Sequence, residues 1–316
     1  MAELMAKTKN KRRIWLAVLF SLIMPGLGQV YCGKLTRGLV FNFFNILPLP
    51  IIIGLLYVIN SPMLMQISIA LILAGGTVQL IAIFDSVYLA NHAKTDYELK
   101  DYNNPVIYAL LILIVTGGSA GSGLYLRDQM LEAFRVPVAS NYPTIVPDDR
   151  FLANKLAYKT SDPKRGDMVV FVNPENRHQN YIKRIVAVAG DTVEIKDGQL
   201  YLNEQKLPWR KLPDSVLENI KIEVMGKHLK GDVFEEINGD AKYKIFLAKP
   251  PYDKASSDFA KITVPQHHCF VLGDNRSNSR DSRHFGPIPL ATIVGRADYL
   301  YWPAKDWSRF GRLGAD

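Results

Sequence analysis

Hydrophobic positions fall into two patterns along the chain. In the N-terminal part they form long, nearly unbroken runs: Ile14–Tyr31, Leu39–Ile59, Met63–Ala90 and Val106–Leu126. A helix needs about 20 apolar residues to cross a hydrocarbon core. The last three runs reach that length. The first is interrupted by Pro25-Gly26, and only Ile14 to Ile23 is continuous. From residue 127 onward the pattern changes to short apolar-alternating runs between turns. Asp167–Val172, Tyr181–Ala189, Thr192–Lys196, Gln199–Leu202, Lys244–Leu247, Lys261–Val264, Cys269–Leu272 and Val294–Trp302 predict strands. Asp197-Gly198 between two of them is a hairpin signal. The predicted fold class is therefore mainly β, an antiparallel sheet or barrel, preceded by an α-helical transmembrane anchor. Residues 204–260 carry the least pattern and read as a lysine-rich insertion.

Charge sharpens this division. The chain has 316 residues, 48% of them hydrophobic, and a net charge of +8. Residues 14–126 hold four basic and four acidic side chains, whereas residues 127–316 hold 29 basic and 25 acidic ones. The net charge thus splits as +4 in residues 1–13, zero in 14–126 and +4 in 127–316. Nucleic-acid binders concentrate basic residues on one face or helix. Here the only dense cluster, KTKNKRR, directly precedes an apolar run and reads as a cytoplasmic flank. No nucleic-acid partner is expected. A signal peptide at residues 14–31 is disfavoured because no small-x-small cleavage site follows and further apolar segments do.

The positive-inside tendency favours one topology. If Ile14–Tyr31 folds back at Pro25-Gly26 instead of crossing, then the N-terminus, Lys34, Arg37 and the 91–104 loop share the cytoplasmic side. Three crossings then place residues 127–316 outside. A fourth crossing would place them inside. PGLGQVYCGKLTRG also resembles the start of small two-helix membrane modules, a short match that implies no activity.

Few residue sets offer chemistry. HExxH and CxxC are absent. In His267-His268-Cys269 neighbouring side chains would point to opposite faces of a strand, so a turn entering a strand is the better reading. GDNRSNSRDSR fails the calcium-loop spacing at Arg276. No metal or cofactor is expected. Cys32 and Cys269 lie far apart in sequence, and no bridge between them is expected. No GxSxG elbow occurs. Ser140 lies between Pro137 and Pro143, which stiffen the chain. A serine hydroxyl needs a neighbouring base to become nucleophilic. Lys183 qualifies if buried, since alternation sets it on one face with Tyr181 and Ile185, and burial depresses a lysine pKa. From spacing alone, a solvated Lys183-Arg184 pair at a strand edge is the more economical reading.

Four blocks change that balance. FRVPVASNYPTI (134–145, followed by Asp149–Leu152), KRGDMVVF (164–171), YIKRIVAVAGDTVEI (181–195) and VLGDNRSNSRDSRHFGPIP (271–289, with VGRA at 294–297) occur in the order seen in bacterial type I signal peptidases. The polar half resembles that family of membrane-bound Ser/Lys proteases over nearly all of 130–316 outside the insertion. The resemblance implies Ser140 as nucleophile, Lys183 as general base and Ser279 as the hydroxyl that orients the lysine. It implies a substrate groove lined by Phe134, Val136, Pro137, Asn141, Ile145, Tyr181 and Ile182. It gives Asp281 and Arg283 as a supporting ion pair, and Asp274, Asn275 and Arg276 as loop-shaping residues.

The implied organisation is a basic cytoplasmic tail (1–13), a multi-segment anchor (14–126) and an extracytoplasmic peptidase domain (127–316) with the insertion at about 204–260. The implied setting is the bacterial cytoplasmic membrane. The implied partners are secreted preproteins with Ala-x-Ala sites and the lipid bilayer. Two departures stand out. Asn141 replaces the family's usual Met, and Val138 replaces a Ser or Gly whose hydroxyl, when present, helps stabilise the oxyanion. Asn141 and the 204–260 insertion motivate one alternative, a specialised Ser/Lys peptidase for dedicated, pilin-like substrates; Val138 motivates another, a non-catalytic signal-peptide-binding membrane protein. A cytoplasmic self-cleaving repressor is weaker, having no use for residues 14–126.

Overall fold

The computed structural model describes residues 12–47, 63–93, 99–159, 161–224, 227–249 and 258–314. The chain divides into two units, Met1–Leu126 and Arg127–Asp316. The N-terminal basic run through Lys11, the second half of Leu39–Ile59 and most of the 91–104 loop's charged residues lie outside the described residues.

In the first unit, a helix over Ile14–Ile23 stops where Pro25 follows, and the chain turns at Gly26 (φ 95°) into a short helix, Leu27–Tyr31. Ten residues rise only about 15 Å, half of a bilayer core. Gly26 is required by close approach as well as by its dihedral: a Cβ there would sit 2.0 Å from the Gly38 carbonyl oxygen. The short helix is wholly buried. Gln29 Nε2 donates to Ala82 O (2.6 Å) and to Asp85 Oδ2 (3.1 Å), and Arg37 donates to Asp85 Oδ1 (3.0 Å). The helix Leu35–Ile46 follows, then the helices Met63–Asn91 and Pro105–Gln129. Among the described residues, Leu73–Asn91 and Pro105–Gln129 are long and apolar enough to cross a membrane. Leu73, Phe84, Leu113, Ile114 and Leu124 on these helices are exposed. An apolar outer face of this kind suits lipid better than water.

The second unit is built of strands. In chain order they are β1 (Leu131–Arg135), β2 (Arg150–Asn154), β3 (Met168–Val172), β4 (Asn180–Val188), β5 (Thr192–Lys196), β6 (Gln199–Leu202), β7 (Gln205–Lys206), β8 (Trp209–Lys211), β9 (Glu223–Val224), β10 (Lys227–His228), β11 (Gly231–Asn238), β12 (Ala241–Ala248), β13 (Phe259–Thr263), β14 (His268–Leu272), β15 (Ile288–Pro289), β16 (Ile293–Trp302) and β17 (Gly311–Arg312). The main sheet runs β1-β2-β16-β3-β4-β14-β15, with β17 also on β16, and its pairs are antiparallel. A second sheet, β13-β5-β6-β7, contains the hairpin at Asp197-Gly198, where both residues have positive φ. A third, β12-β11-β8, is made entirely by the insertion.

Apolar cores lie on both faces of the main sheet. Val169, Phe171, Ile185, Cys269 and Val271 form one, while Val186, Ala187, Phe270 and Leu272 pack with Val193, Leu200 and Ile245 in another. Period-two alternation on β14 produces this division: Cys269 and Val271 enter one core, Phe270 and Leu272 the other. Both cysteines are buried and free.

Candidate active site

Ser140 sits in the segment that joins β1 to β2. Its base is closed by Val136 N–H donating to Asp149 O (2.9 Å) and Asp148 N–H donating to Val136 O (2.7 Å). Within it, Tyr142 N–H donates to Ala139 O and Ile145 N–H to Asn141 O. Tyr142, Ile145 and Val146 are fully buried and pin the segment from beneath. The Asp149 carboxylate ties its end down, accepting from Val146 N–H, Ala304 N–H and the Arg309 guanidinium.

Lys183 projects from β4, opposite Val169 of β3. It is only 4% exposed, and Ser140 only 8%. Lys183 Nζ donates to Ser140 Oγ at 2.9 Å and to Ile182 O at 2.9 Å. The Tyr181 ring lies 5.2 Å from the amine. Burial lowers the Lys183 pKa from 10.5 to about 8, against the opposing pull of the Asp281 and Asp274 carboxylates. An amine that loses its proton near pH 8 at hydrogen-bond distance from a hydroxyl can accept the hydroxyl's proton. The reading of Lys183-Arg184 as a solvated pair fails here. Both are buried, because β3 and the β1–β2 segment cover this stretch of strand.

The third component is the loop from Gly273 to Arg283. Asn275 N–H donates to Ser140 O (3.1 Å), and Asn275 Nδ2 donates to Ala139 O (3.1 Å). Asp274 accepts two bonds of 2.7 Å from the buried Arg184 guanidinium and one from Thr144 Oγ1 (2.5 Å). Asp281 pairs with Arg283 through two bonds of 2.8 Å and accepts from Gly273 N–H (3.0 Å). Burial works against the Asp281 carboxylate, but Arg283 and these other donors outweigh it and hold its pKa below the usual range. Arg276 pairs with the fully buried Glu236 of β11 (3.0 and 2.5 Å). Trp209 Nε1 and Tyr243 OH also donate to Glu236.

Sequence reasoning did not single out Gly273, Thr144, Arg184 or Glu236. Gly273 has the clearest physical requirement, since a Cβ there would lie 2.2 Å from Ser279 Oγ and 2.4 Å from Ser140 O. The signal for Arg184 and Asp274 was present as charges inside apolar strand patterns, but nothing local paired them across 90 positions.

A cleft of about 750 Å³ opens over Ser140 and Lys183. Phe134, Val136, Pro137, Tyr181 and Ile182 line it. Two expected lining residues do not. Ile145 is fully buried in the core with Val136 and Phe151, where the segment's own turn directs it inward. Asn141 is fully buried as well, because its amide is drawn to the main chain of β4, donating to Ile182 O at 2.8 Å. The Ser279 hydroxyl, expected to orient the lysine, is buried beside Gly273 and makes no hydrogen bond to Lys183; the amine's bonds go to Ser140 and Ile182 O. Val138 lines the cleft, 55% exposed, and its isopropyl side chain offers no hydroxyl there. The Ser140 backbone N–H is not engaged by any backbone carbonyl among the described residues and remains available to an incoming oxygen. No His/Cys/Asp/Glu group able to hold a metal occurs among the described residues.

The cleft also borders an unpaired strand edge. β14 accompanies β4 only as far as Leu272 opposite Arg184, so toward Asn180 the strand has β3 alone as a partner. A serine with a buried amine, beside a free edge where an extended peptide can pair, is the arrangement a serine-class peptidase needs.

Comparisons with known proteins agree. The family described as "Signal peptidase, peptidase S26" matches residues 106–302. The chain belongs to this signal peptidase family and is a hydrolase, a serine protease of the signal peptidase I kind. Signal peptidase I of Aquifex aeolicus (strain VF5) is 34% identical over 208 residues, covering 58% of this chain and 80% of that protein. Signal peptidase I of Pseudomonas aeruginosa is 33% identical over 219 residues, covering 60% and 73%. The chloroplastic thylakoidal processing peptidase 1 of Arabidopsis thaliana is 31% identical over 187 residues, covering 56% and 44%. A crystal structure of a signal peptidase I from Enterococcus faecalis V583 is 29% identical and covers 43% of this chain and 97% of its own, with a TM-score of 0.25.

Proposed function

We propose that the chain is a membrane-bound endopeptidase that removes signal peptides from exported preproteins with a Ser140/Lys183 dyad. The observation that carries this reading is the 2.9 Å contact between Lys183 Nζ and Ser140 Oγ in a buried setting. Neutral Lys183 takes the Ser140 proton as Oγ attacks the scissile carbonyl. The Ser140 N–H donates to the oxyanion, and without a second hydroxyl at Val138 this stabilisation is weaker by roughly 3 kcal/mol. The lysine then returns the proton to the leaving amine, and water activated by the same amine hydrolyses the acyl-enzyme. The substrate lies in the cleft as an added strand along the free edge of β4. Phe134, Val136 and Ile182 leave apolar subsites that accept the small side chains of an Ala-x-Ala site. Asp281–Arg283 and Arg184–Asp274 hold the loop beneath the dyad, and Asn275 and Arg276 carry that support to the serine. Ser279 fills the space beside Gly273.

The helices Met63–Asn91 and Pro105–Gln129 and the partly described segment from Leu39 anchor the enzyme in the cytoplasmic membrane. The turned segment from Ile14 stays on the cytoplasmic side, and residues 127–316 face outward. This topology rests on the charge distribution and on the short length of Ile14–Ile23. A reporter fused after residue 126 should be active only outside the cytoplasm; activity confined to the cytoplasm would refute it. For the chemistry, Ser140→Ala and Lys183→Ala should each abolish cleavage of a preprotein with an Ala-x-Ala site. Full activity in either variant would refute the dyad.

A further inference from the structure

Asn141 follows the nucleophile directly in sequence, yet its side chain points away from the cleft. Its Nδ2 donates to Ile182 O at 2.8 Å, the same carbonyl oxygen to which Lys183 Nζ donates at 2.9 Å. A carbonyl oxygen has two lone pairs, so these two donors saturate it. Asn141 is fully buried, and its Oδ1 has no hydrogen-bond partner among the described residues. A buried, unpartnered amide oxygen is destabilising, a cost that an apolar residue of similar size would avoid. Among the described residues, the bond to Ile182 O is the one polar interaction that this side chain makes. The backbone of Asn141 is held separately, its carbonyl accepting from Ile145 N–H.

We infer that Asn141 is a positioning residue for Lys183: by sharing the Ile182 carbonyl, it fixes the lysine against Ser140 and weakens that carbonyl's hold on the protonated amine. This inference rests on the dyad reading above. An ammonium gains more from a carbonyl acceptor than a neutral amine does. An amide N–H on the same oxygen competes for its electron density and so favours the neutral, working form of the base. The charged and titratable groups that face the amine are the Asp281 and Asp274 carboxylates and the Arg283 guanidinium of the 273–283 loop. From β4 itself it meets Tyr181, and from the nucleophile segment the Ser140 hydroxyl. Among these neighbours Asn141 is uncharged, so it acts through hydrogen bonding alone.

The test is the pH profile of kcat/KM for the full-length, detergent-solubilised chain and for Asn141→Met and Asn141→Leu. Both variants should move the acid limb upward by roughly half to one pH unit, a loss of about three- to tenfold on that limb. KM should change little, because Asn141 does not line the cleft. A merely structural role would lower stability without moving the limb. Folded variants that both keep the wild-type limb overturn the inference. The wild type offers a second reading that needs no variant. The Asn141 side-chain amide resonance should titrate with the same midpoint as kcat/KM, and an amide that does not respond across that range also overturns it. Activity in Lys183→Ala would instead remove the dyad itself. An inactive Lys183→Ala with unshifted Asn141 variants removes only the role of Asn141.

Discussion

Lys183 is 4% exposed, in a setting where burial penalises its charge. Its pKa near 8, against 10.5 for an unperturbed lysine, means that below pH 8 the fold carries a buried ammonium. Between pH 8 and 10.5 the unfolded chain holds a proton that the folded one has lost, so stability rises with pH across that window. Below pH 8 the full penalty stands, about 3 kcal/mol. Lys183→Met should therefore melt higher than the wild type at pH 7, and the gain should shrink toward pH 10. Circular dichroism melts at the two pH values check this, and a lower melting temperature at pH 7 would contradict it. At this scale the sequence was partly legible. Alternation on β4 put Lys183 with Tyr181 and Ile185, and the four-block resemblance singled out Ser140. What it hid were contacts that depend on where a turn aims a side chain. Asn141 and Ile145 sit beside groove residues in sequence, and the turns at Tyr142 and Ile145 rotate both inward.

The insertion shows the same limit at the level of elements. Strand β11 was not anticipated, because GDVFEEIN carries three acidic residues in eight positions. Asp232 and Glu235 are half-buried in ion pairs with Lys211 and Arg210, and Glu236 is fully buried. With β12 it makes a hairpin that grips the loop from Gly273 to Arg283: Phe246 N–H donates to Asp274 O (2.8 Å), Arg276 N–H donates to Phe246 O (3.0 Å), and Ala248 N–H donates to Ser277 Oγ (2.9 Å). The Glu236–Arg276 pair locks this contact. Burial opposes the Glu236 carboxylate, but Arg276, Trp209 and Tyr243 overcome it and hold its pKa below 4.5. Its contribution is thus present above pH 4.5 and lost as pH falls through the lower folded value. Glu236→Leu strands a buried guanidinium and should cost about 3–5 kcal/mol. Urea unfolding measures this, and a loss below about 1 kcal/mol would show that the hairpin does not brace the loop. No local pattern could reveal these pairings, since their partners lie about 30 to 40 positions apart.

For the whole molecule, the division of apolar and polar residues was the most legible feature, because bilayer thickness and strand periodicity both write directly into sequence. The net charge of +8 looks like a nucleic-acid signature until it is divided. Half lies in the first 13 residues and half is spread over a nearly balanced peptidase unit. In the function proposed above, the apolar helices hold the enzyme at the membrane beside its signal-peptide substrates, and Ser140 and Lys183 cut them. The proposed chemistry depends on a neutral lysine activating Ser140. The most direct measurement is single-turnover cleavage of one Ala-x-Ala preprotein at pH 9 by the purified full-length chain, Ser140→Ala and Lys183→Ala. Both variants are predicted to be slower by at least roughly 10³-fold. A Lys183→Ala rate within tenfold of the wild type would contradict it.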